Sequence, residues 1–144
     1  MGRKGKKKNT KGSSGLNKKE GEEFLLKNAN RSEVVITDSD LQYEVIKRGE
    51  GQQAKNATEV VVNQRAWLLD GTVLEDTYKS GKPSRFFLSE VIEGYEEGIR
   101  LMQEGDRYKF YVPPELGWGR KGSGHKIGPN SVIIFDVSLI EVLC

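Results

Sequence analysis

EVIEGYEEGIRLMQEGDRYKFYVPPELGWGRKGSGHKIGPNSVIIFDVSLIEV, residues 90–142, is the stretch whose reading decides the fold. Val91, Ile92, Tyr95, Ile99 and Met102 recur at helical spacing, which predicts a short helix with one apolar face, entered at Ser89 or Glu90 and ended by Gly105. Gly94 and Gly98 lower its intrinsic propensity, so the helix needs tertiary packing to persist. Asp106 to Val112 then alternates, with Tyr108, Phe110 and Val112 predicted inward and Arg107, Lys109 and Tyr111 outward. Pro113 to Pro129 holds five Gly and three Pro, a long loop of the kind that usually serves function. Ser131 to Val142 reads as a last strand, with Ile133, Phe135, Val137 and Leu139 on one face.

Working outward, Glu59 to Leu68 is a strand whose inner face carries Val60, Val62, Gln64, Ala66 and Leu68. Gln64 is the odd polar residue on that face. Asp70-Gly71 predicts a turn into a return strand at 72–74. Arg85 to Leu88 is a short strand, and Leu41 to Ile46 alternates Leu41, Tyr43 and Val45 against Gln42, Glu44 and Ile46. Glu20 to Ala29 predicts a short helix. Five to six antiparallel strands with one short helix over their apolar face make an α+β domain.

Charge divides the chain unevenly. Eight of the 23 basic residues lie in residues 1–19 with no acid, leaving 15 basic against 21 acidic residues in the remainder. A stretch with only Met1 and Leu16 as sizeable apolar residues is expected to be a disordered basic tail. It has no aromatic residue for base stacking. It is therefore read either as a solubilising tail or as a non-specific nucleic-acid or acidic-surface anchor. There is no apolar signal segment and no membrane-spanning run, so the cytoplasm is the expected compartment. Cys144 is the only cysteine and His125 the only histidine. Metal ligation and triad chemistry lack partners on these counts, and no metal or cofactor is expected. His125 is expected to be solvated or at a pocket rim. The glycines around Trp118 lack the order of a phosphate loop.

What remains is an apolar constellation: Leu74, Phe86, Val91, Ile92, Tyr95, Trp118, Ile127 and Phe135. Apolar stripes are usually plain core. Trp118, between Gly117 and Gly119 in a polar loop, is instead expected to overhang a cleft. From Leu41 to Val142 these residues resemble the FKBP-type peptidyl-prolyl cis-trans isomerases. The resemblance rests on LQYEVIKRGEG (41–51), DGTV (70–73), GKP (81–83), EVIEGYEEGIRLMQEGD (90–106), VPPELGWG (112–119) and IGPNSVIIFDVSLIEV (127–142). The preceding EEFLLKNA is similar to the helix end before the catalytic domain of Mip-like members, which carry a longer dimerising segment; here a monomer is expected.

The resemblance implies a curved antiparallel sheet wrapped around the short helix, and a division into a basic tail (1–19), helix and linker (20–38) and isomerase domain (39–144). It implies a proline pocket floored by Tyr95, where Trp is usual, and walled by Phe86, Val91, Ile92, Ile127 and Phe135. Ile92 would offer its backbone N–H to a substrate carbonyl, and Trp118 its indole N–H where a Tyr is usual. Three departures concern the opposite rim. The family's inward Tyr is Gln64, and its Phe-Asp pair is Leu74-Glu75. Gln64 and Glu75, which the resemblance counts with Ile92 and Trp118 as catalytic residues, are expected to hydrogen-bond to each other, the amide donating. Loss of the Phe at 74 implies lower activity and weak binding of rapamycin-type macrolides. The partners implied are proline-containing polypeptides. The alternative is a prolyl-peptide-binding or chaperone module of little activity, or one tethered to RNA or ribosome by its tail. Tyr95→Ala and Trp118→Ala are both expected to lose activity and keep the fold.

Overall fold

A computed structural model describes residues 14–124 and 126–144; residues 1–13 and His125, with the expectations placed on them, lie outside the described residues. In chain order the elements are α1 (Ser14–Ala29), β1 (Val35–Ile36), β2 (Gln42–Lys47), β3 (Glu59–Leu68), β4 (Val73–Asp76), α2 (Thr77–Ser80), β5 (Ser84–Phe87), α3 (Glu93–Arg100), β6 (Arg107–Val112) and β7 (Ile133–Leu143). The seven strands form one sheet in the order β1-β2-β6-β7-β3-β4, with β5 also paired to β3. Every pairing is antiparallel. The strand beyond the expected five or six is β1, a two-residue piece that only its pairing with Gln42 and Tyr43 defines.

β3 carries β4 beside Arg65–Trp67 and β5 beside Glu59–Val62, so one edge of it is shared by two short strands. Its other edge runs along the whole of β7, placing Ala66 opposite Phe135. Phe135 in turn faces Phe110 on β6. This row of small, aromatic and aromatic side chains lies under α3. There Tyr95 and Ile99 are buried with Val60, Val62, Val112 and Val137 in one core. α3 is shorter than the apolar periodicity of residues 91–102 predicts. A 3-10 turn at Leu88–Glu90 precedes it, and Ile92 is extended at its N-cap (φ −64°, ψ 153°). Val91 and Ile92 therefore sit on a bend before the helix instead of on its face.

The two helix glycines have a packing reason. A Cβ on Gly98 would lie 2.6 Å from the Phe110 ring, and one on Gly94 2.7 Å from Val112 Cγ1. Alanine at 98 would gain about 1 kcal/mol of helix propensity. The clash with a fully buried ring is expected to outweigh it, with overpacking costs of about 1–3 kcal/mol. Gly98→Ala is thus expected to lower the urea midpoint, whereas a raised midpoint would mean α3 can move off the sheet.

The outer face departs from simple alternation. Gln42, Glu44 and Tyr111, expected to face solvent, are 6%, 7% and 4% exposed. The cover is α1 and the segment after it. Phe24 packs on the Tyr111 ring at 5.9 Å. Asn28 Nδ2 donates to Gln42 Oε1 (2.9 Å), and Gln42 Nε2 donates to Leu25 O (3.0 Å). Arg31 donates to Asn28 Oδ1, Tyr111 Oη and Glu44, while Tyr111 donates to Glu44 Oε1 at 2.5 Å. Polar residues on both partners are thus satisfied by each other, which hides this interface from a hydrophobicity reading. The same docking corrects the start of α1. Ser14 to Lys19, expected to belong to the disordered tail, are helical. Gly21 packs against Val132, and Asn17 Nδ2 donates to Pro129 O at 2.9 Å, so tertiary contact supplies what local composition does not. No helix of the described residues is long and apolar enough to cross a membrane.

This latch has a pH signature. Burial alone would raise the Glu44 carboxyl, but the bonds from Tyr111 and Arg31 leave it below its ordinary 4.5. Burial and the bond to Glu44 push the Tyr111 phenol up to about 12. A depressed carboxyl contributes stability that is present above its unfolded value and lost as pH falls through the folded one. Arg31→Ala is expected to cost about 2 kcal/mol at pH 7, below the full penalty for an orphaned buried charge because the Arg31 side chain is 42% exposed. That deficit should shrink as pH drops below 4.5 in urea titrations; a deficit independent of pH would remove Glu44 from the account.

Candidate active site

Between α3, the bend before it, β3, β4, β5 and the loop after β6 lies an apolar cavity of about 270 Å³. Its lining includes Gln64, Leu74, Phe86, Val91, Ile92, Tyr95, Trp118 and Phe135. Eight of the residues singled out from sequence are therefore brought to one place. Ala66, Glu90 and Ile133 line it as well and were not singled out. The signal for Ala66 and Ile133 was present in the alternation of β3 and β7. Both sit on the inner face, and a small residue at 66 leaves room above the Phe135 ring.

Tyr95 forms the floor. It is 3% exposed and makes edge-on contacts with Phe86 (5.9 Å), Phe110 (6.2 Å) and Phe135 (4.9 Å). It is also part of the main core. Tyr95→Ala is therefore expected to lose folding stability as well as activity, because the ring supports three others. Trp118 is 44% exposed and overhangs the mouth. Its loop is less irregular than its glycine content suggests. A 3-10 turn covers Pro114–Leu116, Gly119 N–H donates to Pro114 O (2.9 Å), Gly122 N–H donates to Trp118 O (3.2 Å), and Asn130 N–H donates to Gly119 O (2.8 Å). Gly119 at φ 60° makes the reversal that swings Trp118 out.

Ile127 stands apart. It is half-buried against the core and bridged through its backbone to Ser123, but it is not among the cavity's lining residues. Its side chain packs against the core, and Ile133 lines the cavity. Glu75 also lies outside the cavity, exposed at its edge.

The polar residue on the β3 face is explained. Gln64 is 5% exposed, and its amide Nε2 donates to Glu75 Oε1 in the expected sense. The unforeseen partner is Tyr95, whose hydroxyl donates to Gln64 Oε1 at 2.5 Å. Burial, and then the negative charge of Glu75, push the Tyr95 phenol well above its ordinary value, so it stays protonated and can donate. Thr77 fixes this corner: Gln64 N–H donates to its Oγ1 at 2.7 Å, and its hydroxyl donates to Asn63 Oδ1 at 3.0 Å. No hydrogen bond among the described residues occupies the Trp118 indole N–H or the Ile92 backbone N–H. Nor do they include a group of three His, Cys, Asp or Glu side chains placed to hold a metal ion.

The family model described as FKBP-type peptidyl-prolyl cis-trans isomerase matches residues 50–140, more than half of the chain. The chain belongs to this family. A second model, the domain amino-terminal to FKBP-type isomerases, matches residues 2–45 and so takes in α1, β1 and part of β2. Among curated FKBP relatives, the probable FKBP-type isomerase FkpA of Neisseria meningitidis is 43% identical over 126 residues, covering 88% of this chain and 46% of that protein. The Mip isomerase of Coxiella burnetii is 41% identical over 119 residues, covering 83% and 52%. The crystal structure of FkpA from Escherichia coli superposes with a TM-score of 0.84 at 36% identity, covering 90% of this chain and 60% of that one. This FKBP chain spans about half the length of the curated relatives it matches.

Proposed function

We propose that this FKBP domain catalyses cis–trans isomerisation of X-Pro peptide bonds in proline-containing polypeptides. The observation that carries the reading is a cavity with an aromatic floor and apolar walls, whose mouth offers two free N–H donors, at Ile92 and Trp118. The barrier to be lowered is about 18–20 kcal/mol and comes from amide resonance. No nucleophile is needed, since no bond other than the partial C–N double bond is disturbed. A planar amide is strongly dipolar, and a twisted one is less so. An apolar pocket therefore disfavours the ground state relative to the twisted transition state, while N–H donors hold the flanking carbonyls in place. Binding that favours the transition state over the ground state is what raises the rate. Uncatalysed X-Pro exchange takes roughly 10–100 s, long enough to limit folding, so even modest catalysis is useful.

Leu74, in place of an aromatic side chain, supports an activity below that of family members with a full aromatic wall. The test is an isomerisation progress curve on a short X-Pro peptide. A first-order acceleration proportional to protein concentration supports the proposal. An unaccelerated curve with saturable peptide binding would instead favour the binding-module alternative.

A further inference from the structure

We infer that Gln64 donates a hydrogen bond from its side-chain amide to a backbone carbonyl of the bound prolyl peptide, in an orientation set by Glu75 and steadied by the Tyr95 phenol. The inference rests on the isomerase reading and deepens it.

The chain Tyr95–Gln64–Glu75 has only one possible direction. A carboxylate can only accept, so the Gln64 nitrogen must face Glu75. The amide oxygen then faces Tyr95, and the phenol must be the donor. An amide nitrogen carries two hydrogens, and Glu75 takes one of them. No acceptor among the described residues takes the other, although Gln64 is 5% exposed. Buried donors in native proteins nearly always find partners. Gln64 lines the cavity, so a ligand there is in position to supply the acceptor. A prolyl peptide fits the requirement: its ring suits the apolar walls, and its flanking carbonyls are acceptors. Without Tyr95 the amide oxygen would lose its donor and the group could rotate about its bond to Glu75, so that its second N–H would no longer be held in one direction. Tyr95 thus has a positioning role through its hydroxyl that is separate from its ring's place as the floor.

The test is kinetic and uses the full chain. Gln64→Met keeps the side-chain length and removes the amide. It is expected to lower kcat/KM about 10-fold, the value of one ordinary hydrogen bond. Tyr95→Phe keeps every ring contact and releases the amide, with an expected loss of about 3-fold. In the Gln64→Met background Tyr95→Phe should cost nothing further, because the phenol then has no amide to orient. Peptides with sulfur replacing each carbonyl flanking the X-Pro amide supply a readout that a structural role would not move. One of them should be penalised in the parent and not in Gln64→Met. If Gln64→Met fails to fold, Tyr95→Phe decides alone. A parent that turns over the peptide while both single variants match it overturns the inference and leaves the isomerase reading standing. The same Tyr95→Phe factor in both backgrounds overturns the positioning role. A parent without turnover overturns the isomerase reading and the inference with it.

Discussion

Trp118→Ala is expected to lower kcat/KM on an X-Pro peptide by about 10- to 100-fold while leaving the melting temperature within about 2 °C of the parent. The two halves of that prediction have separate causes. Trp118 is 44% exposed and lies outside the main core, so its removal leaves no internal void. The loop that carries it is held by backbone bonds from Gly119, Gly122 and Asn130, none of which involves the indole. Alanine removes a large apolar surface from the mouth of the cavity and, with it, the indole N–H donor that the proposed mechanism uses. Loss of a preorganised donor alone is commonly worth about 100-fold or more in enzymes that stabilise a full charge. The charge shift in amide twisting is smaller, which sets the lower end of the range. Trp118→Phe should retain part of the activity through its ring. A Trp118→Ala variant with parental kcat/KM would detach the loop from catalysis.

Tyr95→Ala is expected to behave differently, losing about 3–5 kcal/mol of folding stability together with activity. The ring contacts Phe86, Phe110 and Phe135, and its hydroxyl satisfies the buried Gln64 oxygen. Alanine would leave a cavity beneath three aromatic rings and orphan a buried acceptor as well. Urea unfolding followed by fluorescence would measure this directly. A loss below about 1 kcal/mol would mean that the floor is a surface feature, contrary to its place in the core. The contrast between the two variants matters more than either alone. Loss of activity in Trp118→Ala reports on the site, whereas loss in Tyr95→Ala mixes site and scaffold.

The parts of the fold legible in the sequence are those governed by short-period hydrophobic patterning. β3, β6 and β7 alternate, and their inner residues are buried as the pattern demands. The outer face departs from the alternation for a physical reason. Gln42, Glu44 and Tyr111 look like solvent-facing residues because their partners, Asn28 and Arg31, are distant in sequence and polar themselves. No periodicity reports a polar side chain that is buried against another polar side chain. Within the site, the Gln64–Glu75 pair is implied by the resemblance, whose Tyr and Asp stand at these positions, and it satisfies the polar residue on the β3 face. The Tyr95–Gln64 bond is not implied, because a helix residue and a strand residue 31 positions apart share no local pattern. Two changes from the family pattern, Tyr95 for Trp and Gln64 for Tyr, thus meet in one bond.

The central claim is that this cavity accelerates prolyl isomerisation by its apolar shape and its N–H donors. The most direct test is the cis-to-trans progress curve of a short X-Pro peptide with parent and Trp118→Ala protein at matched concentration. The account predicts a first-order rate that rises linearly with parent concentration and is about 10- to 100-fold less responsive to the variant. Equal acceleration by both proteins, or none by the parent, would contradict it.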